Sequence, residues 1–306
     1  MSNNIFIFPG QGSQKIGMGK DFYDNDALAR EMIEKASERL DLDFTNLLFK
    51  ENDKLELTEF TQPAILLVSS IAHALFTKEY KVTPIMAMGH SLGEFSALSA
   101  VGAIDYLDAV ELVHKRGLFM KEACANINAG MMALIGLSDD KVEEIISAQS
   151  DKQVWPANYN CDGQLVVAGD KDDLASMESI FKEAGAKRAL LLNMSVASHC
   201  PLLKSAIAPL EEYLTKYLKD DFLAPVVSNV TAGLYSSKKE ALDVLSRQLI
   251  SPVKYKQSVV NVETKADRFI EFGATVLKGL NKRSSKKETL CITDMASLEK
   301  VLSELS

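Results

Sequence analysis

The chain has 306 residues, 47% of them hydrophobic and 25% charged, the balance of a globular protein with one large domain or one carrying a smaller insert. A formal net charge of −8 lacks the basic footprint that nucleic acid requires. The cysteines, Cys124, Cys161, Cys200 and Cys291, are scattered without a CxxC pair, which argues against a zinc site and a disulfide framework. The first residues, MSNNIFIFPGQGSQ, have no basic leader, and the apolar run at 5–8 is too short for a signal peptide. No stretch approaches the ~18 apolar residues expected of a membrane helix, so the expectation is a soluble, cytoplasmic protein.

Residues 4–8 read as a buried strand ended by Pro9 and a Gly-Gln-Gly turn. Helical spacing covers 26–40, and Gln62-Pro63 opens a long apolar helix. Residues 85–88 read as a second buried strand, followed by Gly89-His90-Ser91-Leu92-Gly93 and at once by a helix over 94–100. Another helix covers 106–123. From about residue 127 the pattern changes to strand 131–137, helix 138–149 with Ser138 as N-cap, strand 153–160, an Asp162-Gly163 turn, strand 164–169, helix 170–185 and strand 186–194. That β-α-β-β-α-β order is ferredoxin-like. It places a small domain at 127–195 inside a discontinuous large domain, 1–126 and 196–306. Further on, a helix follows Pro201 to about Leu218, with short strands at 225–230, 268–273 and 291–294 and a helix at 238–250. Strands alternating with helices indicate a parallel sheet in the large domain, an α/β fold. Residues 281–288 form a basic loop.

Gly89-x-Ser91-x-Gly93 lies between an apolar strand and a helix, as a nucleophile elbow requires. Glycines allow a tight turn that lifts the serine out of the backbone, and the following helix aims N–H groups at a developing oxyanion. The same residues also fit a plain glycine-rich turn with a capping serine. Serine needs a base. His73 and His114 fall inside helices, and His90 adjoins Ser91 on a sharp turn, where neighbours point apart. His199, in a loop after a strand, remains by elimination. No histidine follows it, against the Ser, acid, His order of α/β-hydrolases. Gly10-Gln11-Gly12 lacks the third glycine of a dinucleotide fingerprint, because position 15 is Lys15. It reads instead as a turn bringing backbone N–H groups near a reacting oxygen, or as a simple strand end.

Taken together, FPGQGSQ (8–14), TQPA (61–64), GHSLGE (89–94), the RG of HKRG (114–117), NYN followed by GQ (158–164), SHC (198–200) and QL-x-x-PV (248–253) resemble the malonyl-CoA:acyl-carrier-protein transacylase family, in the family's order. The resemblance implies an α/β-hydrolase-like large domain with an inserted ferredoxin-like one. It implies Ser91 as nucleophile, His199 as base, Gln11 and Leu92 as oxyanion-hole N–H donors, Arg116 as the clamp on the malonyl carboxylate, and Gln248 orienting His199 through its carbonyl. It implies malonyl-CoA and holo acyl carrier protein as partners, with no cofactor, metal, nucleic acid or membrane. Three positions depart from the family's frequent residues: Ala197 and Asp162 replace prolines, and Ser198 stands where some malonyl-selective relatives have phenylalanine, leaving exclusion of methylmalonyl open. Carrier docking needs a basic patch, and Lys187/Arg188, Lys254/Lys256 and the 282–287 loop are candidates. The rival readings are a polyketide acyltransferase with another extender unit, a thioesterase, and a carrier-docking protein without activity.

Overall fold

The computed structural model describes residues 3–194 and 196–305. Residues 1, 2, 195 and 306, at or beside the expected domain limits, lie outside it. In chain order the elements are β1 (Asn4–Phe8), α1 (Lys20–Asn25), α2 (Ala27–Leu40), α3 (Phe44–Phe49), α4 (Thr58–Glu79), β2 (Met86–Gly89), α5 (Gly93–Ala100) and α6 (Tyr106–Ala123). Then follow β3 (Ala129–Ile135), α7 (Asp139–Ala148), β4 (Val154–Cys161), β5 (Gln164–Asp170), α8 (Lys171–Glu183) and β6 (Arg188–Leu191). The chain ends with α9 (Ile207–Tyr217), β7 (Val226–Val227), β8 (Leu234–Tyr235), α10 (Lys238–Gln248), α11 (Tyr255–Glu263), β9 (Arg268–Phe272), α12 (Val276–Asn281), β10 (Glu288–Ile292) and α13 (Met295–Leu305).

The main sheet has the order β10-β9-β1-β2-β7-β8. Pairing is parallel from β10 to β7, and only β8 runs antiparallel. Every residue of β1 is buried, as a central strand covered on both faces demands. Its register with β2, Ile5 opposite Met86 through Phe8 opposite Gly89, sets the turns after the two strands side by side. The second sheet, β4-β5-β3-β6, is antiparallel throughout, the ferredoxin-like arrangement. Alternate residues divide its burial. Met132, Leu134, Leu165 and Val167 join α7 and α8 in a core of their own, while Met131, Val166 and Ala168 pack into the main core. Strand β4 is also tied by backbone to the segment between α10 and α11: Val253 N donates to Ala157 O at 2.8 Å and Tyr159 N donates to Val253 O at 2.9 Å.

Several expected limits shift for identifiable reasons. The long helix starts at Thr58, ahead of Gln62-Pro63, so Pro63 sits inside it. Proline cannot donate to the carbonyl four residues back, and His114 Nδ1–H donates to that Glu59 oxygen instead, at 2.7 Å. By length and composition α4 could cross a membrane, contrary to the expectation that no segment could, but 78% of its most apolar window is buried inside the fold. The helix expected from Pro201 begins as a 3-10 turn over Pro201–Ala206. The strand expected at 225–230 keeps two residues, because Ser228 and Asn229 turn into side-chain bonds. Ser138 caps α7 as read, its Oγ accepting from Lys141 N at 3.3 Å.

Candidate active site

Ser91 occupies the turn between β2 and α5 with φ of 53°, a conformation rare for a residue with a Cβ and held only by strong surroundings. Two glycines make the turn possible by close approach. A Cβ on Gly89 would stand 2.0 Å from the Gly93 carbonyl carbon, and one on Gly93 would stand 2.0 Å from Phe8 O. Asn229 clamps the turn from outside. Its Oδ1 accepts from Ser91 N at 2.6 Å and its Nδ2 donates to Gly89 O at 2.7 Å.

His199, also at positive φ (62°), meets the serine from the loop after β6. Its Nδ1 lies 2.8 Å from Gln248 O. A carbonyl can only accept, so Nδ1 carries the proton and Nε2 is the free base. Ser91 Oγ lies 2.7 Å from that Nε2, the distance of a hydroxyl donating to a base. Burial, with the nearby Arg116 charge, pushes the His199 imidazole down to about 3. The group facing Nδ1 is thus a neutral backbone carbonyl, not a carboxylate.

Arg116 projects from α6 and is 1% exposed. Its Nη1 donates to Gln62 Oε1 at 2.7 Å, and its Nη2 donates to Gln248 Oε1 at 3.0 Å and to Ser91 Oγ at 3.2 Å. Its Nε is buried without a partner, and burial lowers the guanidinium to about 10. A desolvated guanidinium whose Nη2 lies 3.2 Å from the serine oxygen suits an anionic group on the acyl chain. Gln62 is held in turn by donating to Thr58 Oγ1 at 2.9 Å, and Thr58 donates to Gln11 Oε1 at 2.9 Å.

Gln11 and Leu92 follow the adjacent strands β1 and β2. No protein acceptor engages either backbone N–H among the described residues. Both line, with Ser91, Arg116 and His199, a cleft of about 290 Å³. Asn158, Asn160 and Met194 line it as well. His90, set aside as a base, lines this cleft too, but its Nε2 is engaged by Asn160 Oδ1 at 2.7 Å. Ser198 reaches the cleft; Ala197 is fully buried, away from it. Thus the structure gathers all six anticipated residues: five around one cavity and Gln248 directly behind them. Gln62, Glu94 and Asn229 were not singled out from the sequence. Gln62 and Glu94 lie within the quoted motifs, but Asn229 sits in a segment that reads as plain strand. Among the docking candidates, Lys256 is engaged by Asp139 and Asp162, which leaves less free charge there.

A strained serine elbow, a buried imidazole and a guanidinium at the same cavity define an acyl-transferring class, and residues 5–293 match the acyl transferase domain. Within that class the chain belongs to the malonyl-CoA:acyl-carrier-protein transacylase family. It is 37% identical to the malonyl CoA-acyl carrier protein transacylase of Bacillus subtilis (strain 168), over 100% of this chain and 98% of the relative. The crystal structure of malonyl-CoA:acyl carrier protein transacylase from Helicobacter pylori superposes with a TM-score of 0.96 at 46% identity, covering 100% of this chain and 99% of that one. A malonyl-transacylase solved in complex with its holo type II PKS acyl-carrier protein gives a TM-score of 0.94 at 35% identity, covering 99% of this chain and 100% of that one.

Proposed function

We propose that this enzyme moves the malonyl group from malonyl-CoA to the phosphopantetheine thiol of acyl carrier protein, for fatty acid biosynthesis, through a malonyl ester on Ser91. The observation that carries the reading is the hydrogen-bonded line Ser91–His199–Gln248 carbonyl with Arg116 donating to the same serine oxygen. His199 Nε2 takes the Ser91 proton as Oγ attacks the thioester carbonyl. The oxyanion collects on the N–H groups of Gln11 and Leu92, each such donor contributing about 3 kcal/mol. Collapse expels CoA, whose thiolate takes the proton from His199. The carrier thiol then gives its proton to the same nitrogen and attacks the ester, and Ser91 leaves reprotonated.

Arg116 pairs with the malonyl carboxylate, and the pairing does a second task. The Arg116 charge helps to lower the basicity of His199, so a bound carboxylate offsets that repulsion and makes the imidazole a better base as the substrate arrives. An acetyl group brings no such charge. The catalytic domain comprises 1–126 and 196–306 around an insert at 127–195, and the protein is cytoplasmic. The relative with a type II PKS carrier supports a second reading, in which the acceptor is a polyketide carrier.

Intact-mass spectrometry after mixing with malonyl-CoA tests the proposal. One malonyl adduct is expected, absent in Ser91→Ala and discharged by holo carrier protein, with loss of malonyl preference in Arg116→Ala. CoA release without transfer to any carrier would mean a thioesterase and would overturn it.

A further inference from the structure

Glu94 stands in the first turn of α5, three residues past Ser91, and is fully buried. Three neutral donors converge on its carboxylate. Gln248 Nε2 reaches Oε2 at 2.7 Å, Asn229 N reaches Oε2 at 3.1 Å, and Tyr235 OH reaches Oε1 at 3.0 Å. The carboxylate touches neither the cleft nor the reacting pair. The two partners on its Oε2, however, hold nearly everything that does: Asn229 clamps the Ser91 turn, and Gln248 carries the carbonyl behind His199 and the amide oxygen facing Arg116.

The Gln248 amide has two unlike ends. Its NH₂ group donates to Glu94 Oε2 and to Ser91 O at 3.1 Å, and its oxygen accepts from Arg116 Nη2. Were the amide turned over, its NH₂ would face the Arg116 NH₂, donor against donor, in a buried site where an unmade bond is costly. We propose that Glu94 is a positioning residue for acyl-group selection: its acceptor oxygen fixes the Gln248 amide, which in turn aims the Arg116 guanidinium beside Ser91. This rests on Arg116 being the clamp for the substrate carboxylate. Burial lifts the Glu94 carboxyl to about 7, so at pH 8 it is ionised and accepts all three bonds.

The readout is the ratio of kcat/KM for malonyl-CoA over acetyl-CoA at pH 8, with thermal melting as the check on folding. Glu94→Met removes the acceptor, and Glu94→Asp withdraws it by one methylene. Both are expected to shrink the ratio, Glu94→Met by about tenfold, the size of one lost hydrogen bond to a charged network. Glu94→Gln keeps an acceptor toward Gln248, with its NH₂ turned to the Tyr235 oxygen, and is expected to hold the ratio. If Glu94→Met does not fold, the Asp and Gln variants decide. An unchanged ratio in the Met and Asp variants overturns the proposal, since losses equal for both acyl groups mean a structural role. A ratio lost equally in Glu94→Gln overturns it too, because charge rather than the acceptor would then matter. Wild type is run alongside: failure to form the malonyl-serine overturns the parent reading as well, whereas a normal adduct with an unmoved ratio overturns only the role of Glu94.

Discussion

Gly117 adjoins Arg116 on α6 and faces the first turn of α4. In Gly117→Ala the new Cβ would lie 2.6 Å from Glu59 Cα, 2.8 Å from Glu59 N and 2.9 Å from Thr58 O. All three are backbone atoms, so no rotamer change relieves the contact. Restoring an ordinary carbon–carbon separation parts the helices by roughly 1 Å. The Arg116 to Gln62 bond spans these two helices at 2.7 Å, and an added ångström takes it past hydrogen-bond range. Overpacking costs about 1–3 kcal/mol and the lost charged bond about 2 kcal/mol, while alanine returns at most about 1 kcal/mol of helix propensity. The net loss of about 2–4 kcal/mol corresponds, for a chain of 306 residues, to a melting temperature lowered by about 3–6 °C. Calorimetry reads the melting point, and kinetics with malonyl- and acetyl-CoA read the clamp, with malonyl suffering more. A variant that melts at or above the wild-type temperature would refute the reasoning, because propensity alone would then have decided the outcome.

Other expectations follow from the buried polar groups. Burial pushes His73 down to about 4 and His199 to about 3, so both imidazoles remain neutral on acidification to pH 5, and histidine NMR should show at least these two not titrating between pH 8 and 5. The unfolded chain protonates both near pH 6.5, so it binds more protons than the folded one and stability falls as pH drops below that value. Glu94, raised to about 7 from 4.5, works in the opposite sense, since its contribution is present below 4.5 and lost as pH rises through 7. Glu94→Gln should therefore steepen the acid loss measured by denaturant titration at pH 7, 6 and 5. Asn229→Ala leaves Ser91 N and Gly89 O without their side-chain partner. It should cost about 2–3 kcal/mol in denaturant unfolding and slow acylation in stopped flow, and wild-type rates would show that the elbow holds its own shape.

The layers and the residues of the candidate site were legible in the sequence to different depths. Strand-only burial shows in NIFIF because a central parallel strand is apolar on both faces, and the insert shows because its hydrophobic period changes from element to element. Ser91 and His199 stand out through glycine spacing and histidine scarcity, whereas the roles of Arg116 and Gln248 came only from motif resemblance. The supporting shell was not legible. Glu94, Asn229, Tyr235 and Gln248 are spread over more than half the chain, and nothing in their spacing foretells a shared network. PVVSNV reads as strand, yet Asn229 leaves the ladder to serve the elbow. Helix α11, with Val259, Val260 and Val262 among polar residues, carries a mixed period that favours neither helix nor strand.

The order of strands in the main sheet bears on how the molecule comes into being. β1 is made first, yet one of its two neighbours is β9, ending at Phe272. On a ribosome adding about 5–20 residues per second, β1 waits roughly 13–50 s for that neighbour. The insert's four strands all lie between Ala129 and Leu191, so they can pair while the rest of the chain is still emerging. A nascent chain stalled before β9 would thus carry a finished insert and an elbow already able to meet Asn229, His199 and Gln248, with β1 paired to β2 on one edge and open on the other.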